Sequence, residues 1–520
     1  MTFLQWVIAF YIVILSPSET ARILANFPIP SISHQVVFRS LTEELVRRGH
    51  EVTVITTDSA YPKGESPANL TEIDVHDISY DIWRKSFKSI SKGKKDVIYD
   101  HYKIYLQSMH LLIDAQLKDE KVQSLIRDKS KKYDLILLES CVRPALVFSH
   151  IYNAPVILVS SYSAVFDNLE VVGAPTHPFL YPIGIRQRLN NLTLWEKITE
   201  LIFHIRIELM TFNNIKIENS MLQKHFGPYV PSIEELSNNV SMLFLNINPV
   251  FFGIQPVPPA VVYMGGLHQK PGNNLPNDLK SYLDASKNGV IYISFGSNVD
   301  PSLLPPETIQ VLVGALSKLP YDILWKWNKD ELPGRTDNIR ISKWLPQSEL
   351  LKHPKIKLFI TQGGLQSTDE AITAGVPLIG IPMHGDQWYN IERYEYHRIG
   401  LKLDMDTLSE ERLTNAINKI IGDNSYRQNV IKLRTLMRDE PMPPLERAVW
   451  WTEHVLRHGG ARHLRAPAAN ISWAQFLEVD LVLTLLIVLL TIILITGVIA
   501  RLFFKYVIQK YAVAFKIKHS

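Results

Sequence analysis

The sequence predicts two doubly wound α/β domains followed by one membrane-spanning helix. Three observations carry that expectation. Short, continuously apolar runs alternate with helix-length stretches; the alternation pauses at a Pro- and Gly-rich segment and then restarts; and twenty uncharged residues stand near the end. Strands that are apolar throughout belong to parallel sheets buried on both faces, so helices must cover each sheet on two sides. At 520 residues, 46% hydrophobic and 20% charged, the chain can fill more than one core. Its net charge of +4 is spread along the length. The basic residues between Lys85 and Lys95 read as a solvated helical face, and no nucleic-acid-binding motif accompanies them.

The first apolar run, Phe3 to Leu15, is too short to span a bilayer and is followed by Ser16, Pro17 and Ser18, so residues 1–20 read as a signal peptide. A βαβ opening follows: a strand over 22–27, the loop PIPSIS, a helix over 34–48 stopped by Gly49, and a strand over 51–57. Buried strands are expected again at 134–138, 155–160 and 241–246. Pro and Gly become dense between Pro249 and Pro276, and 267–278 reads as the linker between an N-terminal domain, 21–266, and a C-terminal one, 279–442. The second domain restarts with GVIYISFGS and continues through DILWKW, IRIS, KLFIT and VPLIGIP. Ligands of such sheets bind at the carboxyl ends of the strands.

Residues 443–479 read as a C-terminal helix and juxtamembrane segment, and 480–501 as a transmembrane helix. Leu481 to Ala500 carry no charge, and the tail, 502–520, is basic without an acidic residue. That asymmetry places the tail in the cytosol and the body on the lumenal or extracellular side. Four sequons, at Asn69, Asn191, Asn239 and Asn470, lie on that side. Cys141 is the only cysteine, which excludes an internal disulfide and a cysteine-cluster metal site.

The stretch TQGGLQSTDEAITAGVP, 361–377, reads as strand end, glycine turn and helix, with the helix over 365–374 closed by Gly375 and Pro377. Gly364 and its neighbour let backbone approach a ligand, and the helix N-terminus offers free N–H groups to an anion, so a phosphate fits there. Gln366 and Glu370 share one helix face with Ser367 beside them. Amide and hydroxyl suit phosphate oxygens, and the carboxylate suits ribose hydroxyls. Downstream, Asp386 and Gln387 in MHGDQ form an acceptor-rich pair for sugar hydroxyls. Upstream, Trp344 and Gln347 in WLPQ could hold a base.

These motifs resemble those of the membrane-bound animal UDP-glycosyltransferases, the insect members most of all. The similarity runs from KWLPQSELL through TQGGLQSTDEAITAGVPLIGIPMHGDQ to RAVWWTEHVLRHGGARHLR and covers essentially the whole chain. The resemblance implies the GT-B architecture, two Rossmann-like domains facing across a cleft. By position it implies that Trp344 and Gln347 hold uracil, Glu370 the ribose, Gln362, Gln366 and Ser367 the diphosphate with help from Ser297, and Asp386 with Gln387 the sugar. Many relatives carry histidine where this chain has Gln362; glutamine is familiar among the insect sequences.

Inverting transfer needs a base for the acceptor hydroxyl and a stabiliser for departing UDP. With no metal-ligand cluster visible in the sequence, no metal is expected, and the helix N-terminus near Gln366 takes the second task. His34, after the first strand and with Ser33 as a candidate N-cap, stands where the family places its catalytic histidine. Glu139 stands where the family usually has aspartate, and is expected to orient His34.

The expected enzyme is a single-pass type I protein of the endoplasmic reticulum membrane that moves a hexose, glucose by the insect resemblance, from a UDP-sugar to a small lipophilic acceptor. The acceptor wall is expected from Tyr162, Phe166 and the stretch from Phe179 to Phe212, part of which would meet the membrane surface. The rivals are the same fold using UDP-glucuronic acid and a membrane-tethered binding protein with an inactive transferase domain. No cofactor beyond the UDP-sugar co-substrate and no nucleic acid are expected, and homo-oligomerisation is left open.

Overall fold

The computed structural model describes residues 20–87, 97–269, 272, 274–469 and 471–518. The expected signal peptide and the Asn470 sequon residue lie outside them, apart from residue 20.

The first sheet begins with β1 (Arg22–Phe27) and continues, after α1 (Ile32–Arg47), with β2 (Glu51–Thr56) and β3 (Leu70–Asp74). Helices α2 (His76–Phe87) and α3 (Ile98–Lys118) then lead to β4 (Leu135–Glu139) and β5 (Val156–Ser160). The long α4 (Leu194–Phe226) leads to β6 (Val240–Leu245) and β7 (Val261–Tyr263). All seven strands are parallel, in the order β3-β2-β1-β4-β5-β6-β7. The second sheet holds β8 (Val290–Ser294), β9 (Asp322–Lys326), β10 (Ile339–Ser342), β11 (Ile356–Thr361), β12 (Leu378–Gly380) and β13 (Gly400–Lys402). These too are parallel, ordered β10-β9-β8-β11-β12-β13. Between them lie α5 (Gln347–Leu351), α6 (Leu365–Ala374) and α7 (Gln387–Tyr396).

Both orders reverse direction at one place, between β1 and β4 in the first sheet and between β8 and β11 in the second. At such a switch point the loops leaving adjacent strands part to opposite faces and open a crevice. His34 follows β1 and Glu139 ends β4. Gly296 and Ser297 follow β8, and Gln362 to Gly364 follow β11. Every candidate catalytic and phosphate-binding residue therefore stands at one of the two crevices. β4, beneath the first crevice, is fully buried: Leu135 to Leu138 are each 0% exposed. Truncating one of these leucines to alanine would cost about 2–5 kcal/mol.

The structure moves several expected boundaries. The first helix begins at Ile32, two residues early, and Ser31 rather than Ser33 occupies its N-cap position without a side-chain cap bond. Ser31 Oγ instead pairs with Ser33 Oγ at 3.0 Å and accepts from Asn298 Nδ2 at 3.1 Å. The Pro-rich stretch after Pro249 holds a helical turn, Pro249–Phe252, and β7, so it still builds the first sheet. The helix α8 (Pro444–His458) returns to that sheet as well. Its Ala448, Val449 and Val455 join the core around Phe38 and Leu41, and Glu453 pairs with Arg48 at 3.3 Å.

The segment from Ala468 forms a unit of its own. Its helix α9 (Val479–Lys518) is one unbroken helix of 40 residues, so the expected span at 480–501 and most of the expected basic tail belong to the same element. The stretch Val479–Ala512 is long and apolar enough to cross a membrane.

Candidate active site

Pro28 and Pro30 hold the loop after β1 extended. Gln35 locks it: its amide donates to Phe27 O and Ile29 O, both at 3.0 Å, and its carbonyl accepts from Thr56 Oγ1 at 2.9 Å. The fixed loop presents His34 in the first turn of α1, where its Nδ1 lies 2.8 Å from Glu139 Oε1. Glu139, 1% exposed, accepts on its other oxygen from the Ile29 N–H at 3.1 Å. With a carboxylate accepting at Nδ1, the ring proton sits there and Nε2 carries the lone pair. The ring of Tyr162 packs at 5.4 Å against the imidazole.

The opposite wall is the loop after β11. Gly363 takes φ +91°, and a Cβ there would lie 2.5 Å from Ile391 Cγ1, so only glycine fits against α7. No side chain caps α6, and Gly364, Gln366 and Ser367 line one cavity together with His34, Ser297, Gln362, Asp386 and Gln387. Gln362 Oε1 accepts from Thr361 Oγ1 at 3.1 Å, which leaves the amide nitrogen as the group offered to a ligand. It lies against Gly296, where a Cβ would meet Gln362 Nε2 at 2.2 Å.

Asn390, fully buried, donates to both Gly363 O at 2.9 Å and Asp386 Oδ2 at 2.8 Å, tying the phosphate loop to the carboxylate. Burial pushes the Asp386 carboxyl up to about 6, opposed by the Asn390 hydrogen bond and by His34 across the cleft. The folded chain therefore prefers the protonated form, and the group's contribution to stability is lost as pH rises from the ordinary carboxylate range through about 6. An ionised carboxylate is the state that would accept from sugar hydroxyls. If Asp386 meets the sugar, UDP-glucose should bind the parent more weakly as pH falls through about 6, and Asp386→Asn should lose that dependence. Titrations of UDP-glucose into the two proteins across this range check it; equal slopes would mean that Asp386 does not meet the sugar.

Three expected roles change. Gln347 does not present its amide to a base: its carbonyl accepts from Tyr292 Oη at 3.0 Å, and its nitrogen donates to Ser367 Oγ at 2.9 Å and Glu370 Oε2 at 2.7 Å. It fixes Glu370, whose carboxyl burial pushes up and this bond pulls back. The Gln366 amide reaches across the cleft and donates to Ser161 O at 3.0 Å. Gln387 is not an acceptor, because its carbonyl already takes the N–H groups of Met383 at 2.8 Å and His384 at 3.0 Å, leaving a donor.

Trp344 is 67% exposed. Lys326 Nζ sits 5.2 Å from its ring centroid and donates to Gly296 O at 2.7 Å. Lys326 was not singled out from the sequence, yet it ends β9, where the strand-end rule could have found it. The acceptor wall also differs. Tyr162 and Phe166 line the cavity, but of the stretch from Phe179 to Phe212 only Ile185 does. Further apolar wall comes from Trp83, Tyr102, Tyr105 and Met109 on α2 and α3. Leu194, Trp195, Leu209 and Phe212 of α4 are exposed instead.

A sequence profile of the family described as UDP-glucoronosyl and UDP-glucosyl transferase matches residues 24–513. The chain belongs to the UDP-glycosyltransferase family. It is 36% identical over 496 residues to an ecdysteroid UDP-glucosyltransferase of Spodoptera littoralis nuclear polyhedrosis virus, covering 91% of this chain and 95% of the relative. To UDP-glucosyltransferase 2 of the insect Dactylopius coccus it is 32% identical, over 94% of each chain. To human UDP-glucuronosyltransferase 2B15 it is 29% identical, over 89% of this chain and 90% of that one. Among solved structures, a UDP-glucose: anthocyanidin 3-O-glucosyltransferase in complex with UDP superposes with a TM-score of 0.57 at 16% identity, covering 85% of this chain and all of that one. The spinosyn forosaminyltransferase SpnP also gives 0.57, at 18% identity over 84% and 99%. The UDP-glycosyltransferase fold here is GT-B, and the chain is an enzyme of that class with a UDP-sugar as donor.

Proposed function

We propose that the enzyme transfers glucose from UDP-glucose to a hydroxyl of a small lipophilic acceptor with inversion. The observation that carries this reading is the placement of the His34–Glu139 pair, Asp386 and the uncapped end of α6 around a single cavity. In the proposed reaction the acceptor oxygen attacks the anomeric carbon while the bond from that carbon to the UDP phosphate oxygen breaks. The acceptor's proton passes to His34 Nε2, and Glu139 stabilises the imidazolium so formed. Charge developing on UDP meets the N–H groups at the start of α6, the Gln362 amide and the hydroxyls of Ser297 and Ser367. Trp344 receives uracil and Glu370, held by Gln347, the ribose. Gln387 donates to, and Asp386 accepts from, the sugar.

Glucose is favoured over glucuronic acid by charge. Among the described residues that line the cavity there is no lysine or arginine, so a glucuronate carboxylate would meet Asp386 with histidines, His34 and His384, as its candidate cations. The aromatic wall from α2 and α3 suits a lipophilic acceptor. Release of UDP by the solubilised full-length enzyme, with a panel of UDP-sugars and a simple phenol, tests the reading. UDP-glucose should be turned over fastest to a β-glucoside; preference for UDP-glucuronic acid would overturn the donor assignment.

We infer from the family resemblance that the body lies in the lumen of the endoplasmic reticulum; the apolar stretch of α9 and the basic residues after it support a single span with a cytosolic tail. On that side Asn191 is the sequon expected to carry glycan, since its side chain is exposed. Asn69 donates its amide to Val46 O at 2.8 Å and His50 O at 2.9 Å, and Asn239 donates to Ser149 Oγ at 3.0 Å. Endoglycosidase should shift the mobility of the parent more than that of Asn191→Gln; an equal shift in the two would refute the assignment.

A further inference from the structure

Strand β9 lies between β8 and β10 in the second sheet, so its last residue, Lys326, stands between the loops that leave both neighbours. Its side chain touches each of them. Nζ donates to Gly296 O at 2.7 Å in the turn after β8, and lies 5.2 Å from the ring centroid of Trp344 after β10. Trp344 is tied to the end of β10, its carbonyl accepting from Ser342 Oγ at 2.8 Å. Gly296, at φ +76°, packs against the Gln362 amide, so one ammonium joins the turn that carries two candidate phosphate donors to the exposed indole.

The peptide between Gly296 and Ser297 is trans, so its C=O and N–H point in opposite directions. With Lys326 on the carbonyl, the Ser297 N–H points away from the ammonium. Ser297 lines the cavity, and among the described residues its N–H meets no acceptor. A backbone donor left so is one that a ligand oxygen can satisfy.

We propose that Lys326 is a positioning residue for the nucleotide's diphosphate: it fixes and polarises the Gly296–Ser297 peptide so that the Ser297 N–H donates to a phosphate oxygen. The inference rests on reading the cavity as the UDP-sugar site. A cation on the carbonyl draws electron density toward that oxygen and leaves the amide hydrogen more positive, which strengthens its bond to an anion. The ammonium also places a positive charge one peptide group behind the phosphate position, where the described lining of the cavity holds no lysine or arginine. Burial lowers the ammonium's pKa and the charge of Asp300 opposes that, while the Asp300 carboxylate itself accepts from the Ser302 N–H at 2.9 Å. Lys326 acts from where it stands.

The same ammonium touches Trp344, so its removal must be read separately at the base and at the phosphates. Uridine carries the base and ribose alone and makes that separation. Calorimetric titrations of UDP and of uridine into the solubilised full-length parent, Lys326→Met, Lys326→Arg and Trp344→Ala test the inference. Lys326→Met should bind UDP about tenfold more weakly, the low end of what a hydrogen bond to a charged group contributes, and should bind uridine as the parent does, which shows that it is folded. Lys326→Arg, which keeps the charge and its donors, should bind UDP nearly as the parent does; an arginine variant as weak as the methionine one would mean that charge is not at work. Trp344→Ala should lose affinity for both ligands. Equal losses of UDP and uridine in Lys326→Met would mean that the lysine only props the indole, and would overturn the inference. Losses confined to Trp344→Ala would overturn the role of Lys326 alone, whereas no loss in either variant would overturn the reading of the site as well.

Discussion

His34→Ala should lower the rate of UDP release at least about a hundredfold with donor and acceptor both saturating, the loss typical of a removed general base. The size follows from isolation of the function. In the described cleft His34 is the group whose Nδ1 is fixed by a buried carboxylate and whose other nitrogen is free for a proton. His384, the other histidine lining the cavity, lies with its Nδ1 3.3 Å from Tyr105 Oη. Turnover retained in His34→Ala would remove this residue from the mechanism.

Glu139→Gln is expected to have the second-largest effect. The carboxylate accepts from Ile29 N–H on one oxygen and from His34 on the other. An amide keeps only one acceptor, so either the Ile29 bond or the imidazole tautomer must give way. The imidazolium formed during transfer then loses its counter-charge. We expect turnover to fall, though less than in His34→Ala, with UDP affinity unchanged. Turnover equal to the parent's would sink the pairing. The extra methylene of Glu139, relative to the family's usual aspartate, is accommodated by the Ile29 bond, which holds the carboxyl back against the loop.

What the sequence made legible was whatever local chemistry dictates. The helix after β11 was found to the residue, 365–374, because a glycine turn starts it and Gly375, left-handed at φ +75°, ends it. Fully apolar strands such as β4 were found within one residue. β3 and β7 were not, since LTEID is half exposed and VVY is three residues long. The candidate site was legible as a set of residues but not as a set of bonds. Gln347 and Gln366 belong to the cleft, yet one is spent on Glu370 and the other on a carbonyl about two hundred positions away, and no spacing rule reports such partners. Gln35 and Asn390 were missed for the same reason, as both act on backbone oxygens brought close only by folding. Trp83, Tyr102 and Tyr105 were missed because aromatic residues on helices read as core.

The proposed reaction divides the labour between two walls: the β11 loop would bind the nucleotide, and the β1–β4 crevice would move the proton. Calorimetric titration of UDP into the parent, His34→Ala and Gln362→Ala tests that division most directly. Loss of the Gln362 amide removes a hydrogen bond to a charged group, about 1.5–3 kcal/mol of UDP binding, whereas His34→Ala should bind UDP as the parent does. Gln362→His should restore binding and, unlike the parent, tighten it as pH falls through the imidazole range, near 6.5 when unperturbed. If Gln362→Ala binds UDP as tightly as the parent while His34→Ala binds it less well, the walls have been assigned the wrong way round.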